Sequence, residues 1–379
     1  MRFAFAEDQE LLRSTTRRFL EDRHPIAALR PRLEEAVTFD REVWQAGASL
    51  GWTALLVPED HDGGSVTDQP VVDLAALSEE LGRQLYPGPV LGTNVVADAV
   101  ATFGNTQGAR DFLGPIARGE TVATWCHSED GTPDLAAVGV VARLDGDEAH
   151  LDGVARFVQD AHVADALLVT CRSPGGVLLV LVSVPNDGVS ARVLAGFDLT
   201  RRFCEVRFAG VVVSRANVLG GDGVAAVDRA QRLVTVLQAA EAVGAGEHLF
   251  EMTVQYAKDR VQFGRPIGSF QAIKHRLADL LIELEAARAA SRYAAMAVAD
   301  ERHDRDEAVA VAGSFVRDAI AHLCGESLQI HGGIGFTWEH DVHLFLRRAK
   351  ADQVLHGEPA WHRERLLGLV ETLGTEAGR

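Results

Sequence analysis

The order of its hydrophobic periods constrains this 379-residue chain more than any other feature. Helical spacing governs the first third: Leu11, Leu12, Phe19 and Leu20 share a face, as do Val71, Leu74, Leu77, Leu81 and Leu85 ahead of the break at Pro87. Between about 120 and 222 the texture is that of strands. VGVVARLDGDEAHLDG sets an Asp-Gly turn between two extended runs, ADALLVTC and GVLLVLVSV are short apolar runs, and CEVRFAGVVV opens with Cys204, Val206 and Phe208 at alternate positions. From about 223 the helical period returns, with Ile273, Leu277, Leu280, Leu281 and Leu284 at i, i+4, i+7, i+8 and i+11. This segregation predicts an α+β protein of three lobes: helical over 1–119, β over 120–222 and helical over 223–379. A doubly wound sheet would need strands alternating with helices, and no GxGxxG follows a strand, which argues against a Rossmann site.

Charge and cysteine usage narrow the function. A formal net charge of -17 with no run of Lys or Arg argues against sequence-independent binding to nucleic acid or to anionic membrane. Glu7 and Asp8 interrupt MRFAFAEDQELLRSTTRRFL where a secretory segment needs an unbroken apolar run, and no stretch of eighteen uninterrupted apolar residues follows. Cys126, Cys171, Cys204 and Cys324 lie far apart and form no CxxC, so neither a disulfide framework nor a thiolate metal site is expected. A cytoplasmic protein acting on a small molecule fits these limits. VLHGEPAWHRERL, 354–366, concentrates histidines and charges, but His356 and His362 stand six apart and no Cys or Asp close by completes a zinc set.

Two stretches of the last lobe carry sharper chemistry. In YAKDRVQFGRPIGSFQAIKHRLAD, 256–279, Arg260 offers a planar fork suited to a pyrophosphate, Gly264 and Gly268 permit close backbone approach, and Pro266 stiffens the turn. In QIHGGIGFTWEHDVHLFLRRAK, 329–350, Gly332 and Gly333 let backbone pass against a phosphate or ribose beside Gln329. Each alone has a plainer reading, a helix-connecting loop and a helix C-cap. Together they resemble the acyl-CoA dehydrogenase family, with fainter echoes in VPEDHDGG (57–64), SEELGR (78–83) and FAGVVVSRANVLG (208–220). The resemblance implies an N-terminal helical domain, a central β-barrel or sandwich and a C-terminal four-helix bundle. It also implies FAD, an acyl-CoA substrate, an electron-accepting flavoprotein, and either a homo-tetramer or a hetero-tetramer with a second acyl-CoA dehydrogenase subunit. Arg260, Gln262, Phe263 and Gln271 match positions that reach the FAD of a neighbouring subunit, with Gln329, Gly332 and Gly333 as the second half of that clamp.

The family pattern is broken in two places. The flavin-ring contacts, usually a Thr-Glu-Pro-like loop and a Trp-x-Thr, correspond to WCHSEDGTPDL (125–135) and RFVQDA (156–161). Ser128 keeps a hydroxyl, Phe157 an aromatic face and Gln159 a donor, while Cys126 and His127 read as packing residues. The second break is catalytic. Dehydrogenation removes an α-proton with a carboxylate while hydride passes to flavin N5, and the family's glutamate in the loop after the RRAK-like helix is His356 here. The alternative family position for the base is Val234, with Glu241 two turns further along the same helix. Three readings stay open. His356 is the base; Glu241 is the base, favoured because Leu237, Ala240, Val243 and Gly244 around it would desolvate a carboxylate; or the chain is the base-less half of a heteromer whose unlike subunits share each active site. A flavin oxidase or monooxygenase on the same fold is a further alternative.

Overall fold

The computed structural model describes residues 3–35 and 39–376, with side chains as far as Glu371. The N-terminal lobe contains α1 (Glu7–Arg23), α2 (Ile26–Leu29), α3 (Arg41–Ser49), α4 (Pro70–Arg83), α5 (Val90–Phe103), α6 (Gln107–Arg110) and α7 (Leu113–Ala117). Local chemistry sets their starts. Asp40 accepts from the backbone N–H groups of Glu42 and Val43 at the head of α3, and Pro70 opens α4, where its missing N–H costs nothing.

The middle lobe is a single seven-stranded sheet. Its strands are β1 (Ala123–Cys126), β2 (Val141–Asp145), β3 (Glu148–Gln159), β4 (Ala166–Ser173), β5 (Gly176–Ser183), β6 (Val189–Val193) and β7 (Phe203–Ser214). The order is β1-β4-β2-β3-β7-β6, with β5 paired to β4 outside this path, and most neighbours run antiparallel. Cys204, Val206 and Phe208 are all buried, as strand alternation requires when one face meets a core. The β3–β7 pairing slips between Ala155 and Val158. That bulge throws Phe157 into a left-handed conformation, φ 55°, which a bulky side chain rarely adopts.

The last lobe begins with α8 (Gly223–Asp259), continues through a small exposed hairpin, β8 (Val261–Gln262) and β9 (Arg265–Pro266), and then α9 (Gln271–Ala299), α10 (Arg305–His331), α11 (Val342–Asp352) and α12 (Pro359–Glu376). Of the predicted α9 stripe, Leu280 and Leu284 are buried while Leu281 stays 43% exposed. α10 is long and apolar enough to cross a bilayer, but 72% of its most apolar window is buried inside the chain, as in a core helix.

The 37-residue α8 is the spine to which α4, α5, α9 and α10 all pack. Its closest crossing, with α4, depends on two glycines. A Cβ on Gly244 would lie 1.7 Å from the Glu79 carbonyl oxygen, and one on Gly82 would lie 1.9 Å from that of Glu241. Gly244→Ala must therefore force the helices apart, with an expected loss of roughly 3 kcal/mol in urea unfolding; an unchanged midpoint would show that the crossing can relax.

Candidate active site

The C-terminal ends of β1 and β3, helix α5, the middle of α8 and the turn after α11 converge on two small adjoining recesses. The first, about 30 Å³, is lined by Leu91, Gly92, Val95, Thr124, Trp125, Phe157, Gln159, Val234, Gln238 and His356. The second, about 20 Å³, adds His127, Ser128, Gly131, Thr132 and Arg156, and shares Trp125, Phe157 and His356 with the first. Among the described residues, neither wall contains a carboxylate.

His356 is brought here by a sharp turn, with His356 at φ 55° and Gly357 at φ 95°. Its ring lies nearly parallel to Trp125, 8° between planes and 6.1 Å between centroids. Burial, then the nearby Arg317 guanidinium, His127 and Arg201, pull the imidazole down to about 3. It is therefore neutral at cellular pH and a very weak base.

Glu241 lies elsewhere. The apolar surroundings expected from the sequence are present, but its carboxylate is not isolated: Arg201 donates to one oxygen and Arg348 to the other, with all three side chains no more than 2% exposed. Arg348 also donates to Asp198 at 2.7 Å, and Arg201 to Asp352 at 3.2 Å. The five groups form a buried charge cluster joining the loop before β7, α8 and α11. A doubly ion-paired glutamate outside both recesses is a structural anchor, which removes the reason for favouring it as the base. Within the cluster, burial and the neighbouring Glu241 push the Asp352 carboxyl up to about 6 against the pull of Arg201. A carboxyl with a raised folded-state pKa binds its extra proton only in the native state, so its contribution falls as pH rises from about 4 to about 6. Asp352→Asn should remove that fall; the stability difference between variant and wild type, followed by thermal unfolding across this range, is expected to change up to about pH 6 and then level off.

Gln159 and Ser128 are hydrogen-bonded within the chain. Gln159 donates through Nε2 to Asp160 at 2.9 Å, and burial pushes that Asp160 carboxyl up to about 7. Ser128 Oγ accepts from the Gly131 N–H at 3.1 Å. Phe157 is 42% exposed between the two recesses. Cys126 is buried, and His127 reaches Thr170 and the Pro133 carbonyl, consistent with packing. The clamp residues stand apart from the recesses, on the outer surface. Gln262, Phe263, Gly264 and Arg265 form the hairpin tip, with Phe263 at φ 52° and 93% exposed. Arg260 and Gln271 are exposed beside it. At the end of α10, Gly332 (φ 62°) and Gly333 have open space where a Cβ would project. Tyr256 donates to the His331 carbonyl at 3.2 Å and so ties the two clamp halves together.

Residues 6–120 match the acyl-CoA dehydrogenase N-terminal domain, and residues 216–367 the acyl-CoA dehydrogenase C-terminal domain. The chain belongs to the acyl-CoA dehydrogenase family. It is 31% identical over 367 residues to the acyl-CoA dehydrogenase IpdE2 of Mycolicibacterium smegmatis, covering 95% of this chain and 98% of that protein. Among solved structures it resembles a variant of the Tcur3481-Tcur3483 steroid ACAD (TM-score 0.88, 28% identity, 97% and 99% covered). It also resembles the ChsE4-ChsE5 complex from Mycobacterium tuberculosis (TM-score 0.87, 28% identity, 98% and 99% covered).

Acyl-CoA dehydrogenases are FAD-dependent oxidoreductases, and the two halves of the site fit that cofactor unequally. The outer clamp offers a cationic fork, exposed aromatic surface and a glycine cradle open to a dinucleotide. The inner recesses do not fit: cavities of about 30 and 20 Å³ hold a water or two rather than a flavin ring or an acyl chain. Trp125 and Gln238 line the first recess, Arg317 donates to Gln238, and Arg201 and Arg348 pair with Glu241; none of these contacts has a local sign in the sequence.

Proposed function

We propose that this chain is one half of a heteromeric, FAD-dependent acyl-CoA dehydrogenase. It supplies the outer clamp to a flavin held by an unlike partner, and that partner supplies the base and the acyl-CoA pocket. The observation that carries this reading is the absence of any carboxylate on the walls of both recesses among the described residues, with His356, drawn far below its ordinary range, as the one ionisable side chain on the wall of the first. Two supports stand beside it: the ring-side polar groups are engaged with their own chain, and the chain resembles two solved structures whose names each couple two chains.

In such an assembly Arg260 would meet the pyrophosphate, Gln262 and Phe263 would cover the dinucleotide, and Gln271, Gln329, Gly332 and Gly333 would complete the cradle. FAD supplies hydride acceptance when bound. This chain's residues hold and orient it, while removal of the α-proton belongs to the partner.

Purifying the chain alone and together with an unlike acyl-CoA dehydrogenase encoded beside it tests the proposal. The expected product is a complex with one FAD per pair of unlike chains, active in dye reduction, and a colourless, inactive chain when alone. A self-assembled oligomer with one FAD per chain and full turnover would overturn it.

A further inference from the structure

Trp125, Phe157 and His356 border both recesses, so the two cavities are compartments of one cleft divided by a three-ring partition. His356 is fixed in that partition from two helices. From α8, Gln231 donates through Nε2 to the His356 carbonyl at 2.8 Å. From α10, Arg317 donates through Nη1 to the Gly357 carbonyl and through Nη2 to Gln238 Oε1 at 2.8 Å. Consecutive carbonyls of the left-handed turn are thus tethered to different helices. On the far side, the His362 ring packs against Gly313 and Gly357, where a Cβ on Gly313 would lie 2.5 Å from the ring.

Arg317 is the unusual member. It is 2% exposed, no carboxylate pairs with it among the described residues, and its Nε has no hydrogen-bond partner. Burial pulls its guanidinium down to about 10, against the weak counter-pull of Asp352. A buried cation held only by a carbonyl and an amide oxygen is a costly way to fill space, since an apolar side chain of similar volume would avoid the desolvation. What the guanidinium adds is direction. Its fork carries only donors, so it fixes Gln238 with Oε1 toward itself and the amide N–H groups away, and it pins Gly357 in place.

We infer that Arg317 is a positioning residue that latches the His356–Gly357 turn into the cleft, so that the flavin and acyl cavity of this chain stays partitioned and shut. The inference rests on the half-site reading and deepens it, because it names what closes the unused site. The groups facing His356 are Arg317 from α10, His127 beyond β1 and Arg201 from the loop before β7, and the latch requires none of them to change protonation.

Thiol labelling of the purified complex tests it. Val234 lines the first recess and is 5% exposed. Val234→Cys should resist iodoacetamide in the otherwise wild-type chain and be alkylated at least about tenfold faster when combined with Arg317→Met, because loss of the tether lets the turn swing out of the cleft. Arg317→Lys should restore most of the protection. The native Cys126, Cys171, Cys204 and Cys324 are all buried and serve as controls for global unfolding, read by peptide mass spectrometry. Gln231→Leu, which cuts the other tether, should accelerate labelling in the same way if Arg317→Met fails to fold. Hydrogen exchange over residues 353–358 should rise in parallel. Slow labelling and unchanged exchange in folded Arg317→Met would overturn the latch, as would equal acceleration at the four native cysteines. Flavin content separates the two ideas: two FAD per wild-type pair would sink the half-site reading, whereas one FAD per pair with a failed labelling result sinks the latch alone.

Discussion

Glu241→Ala is expected to remove about 3–5 kcal/mol of stability, most of what a marginally stable domain possesses, while leaving the chemistry of any folded complex intact. The size follows from what is left behind: Arg201 and Arg348, at 2% and 1% side-chain exposure, would lose the carboxylate that each of them donates to. Asp198 and Asp352 remain, so the cluster changes from three carboxylates against two guanidiniums to two against two, but the hydrogen bonds to Glu241 have no substitute. Glu241→Gln keeps the shape and one acceptor, and should lose less. Urea unfolding of each variant, paired with turnover per molecule of bound flavin, separates anchor from base. Retained stability with turnover reduced about 10²–10⁴-fold would restore Glu241 to catalysis.

Arg260→Ala is expected to weaken flavin binding in the assembled complex by roughly ten- to a hundredfold, through loss of a charge-assisted contact of about 1.5–3 kcal/mol. The residue is exposed at the end of α8, where its backbone N–H caps back to the Tyr256 carbonyl and its own carbonyl accepts from Ile267. Truncating the side chain therefore disturbs no core, and the unfolding midpoint should stay within experimental error. Titrating FAD into the apo-complex reads the affinity. Unchanged affinity would show that the clamp does not meet the pyrophosphate.

How much of the fold and of the site is legible in the sequence depends on distance along the chain. Alternation at Cys204, Val206 and Phe208 is a local pattern, and those residues are buried as it requires. The apolar run around Glu241 is equally visible, but the two guanidiniums that pair with its carboxylate are not. Arg201 lies 40 residues before it and Arg348 107 residues after it, and neither carries a local sign of its partner. Apolar neighbours in sequence mark the carboxylate as desolvated, while the cations that compensate it are distant in sequence. The same holds for Trp125, whose stacking on His356 joins residues from different lobes. The hairpin and the glycine pair after α10 are visible for the opposite reason, since each is a short contiguous motif, and the Tyr256–His331 contact that brings them together is not.

The exposed hairpin has a consequence for the life of the chain in a cell. Phe263 stands at its tip with nearly its whole surface in water, held in a left-handed turn beside Val261, itself 53% exposed. Phe270, which meets Phe263 edge-on, and Arg265 stacked over Phe270 stiffen this projection, so it does not simply fold away when no partner is present. An unassembled copy with this apolar tip uncovered would be open to self-association and to quality-control proteases. The protein's abundance would then track the supply of whatever chain covers the tip, and synthesis in excess would shorten its half-life rather than raise its level.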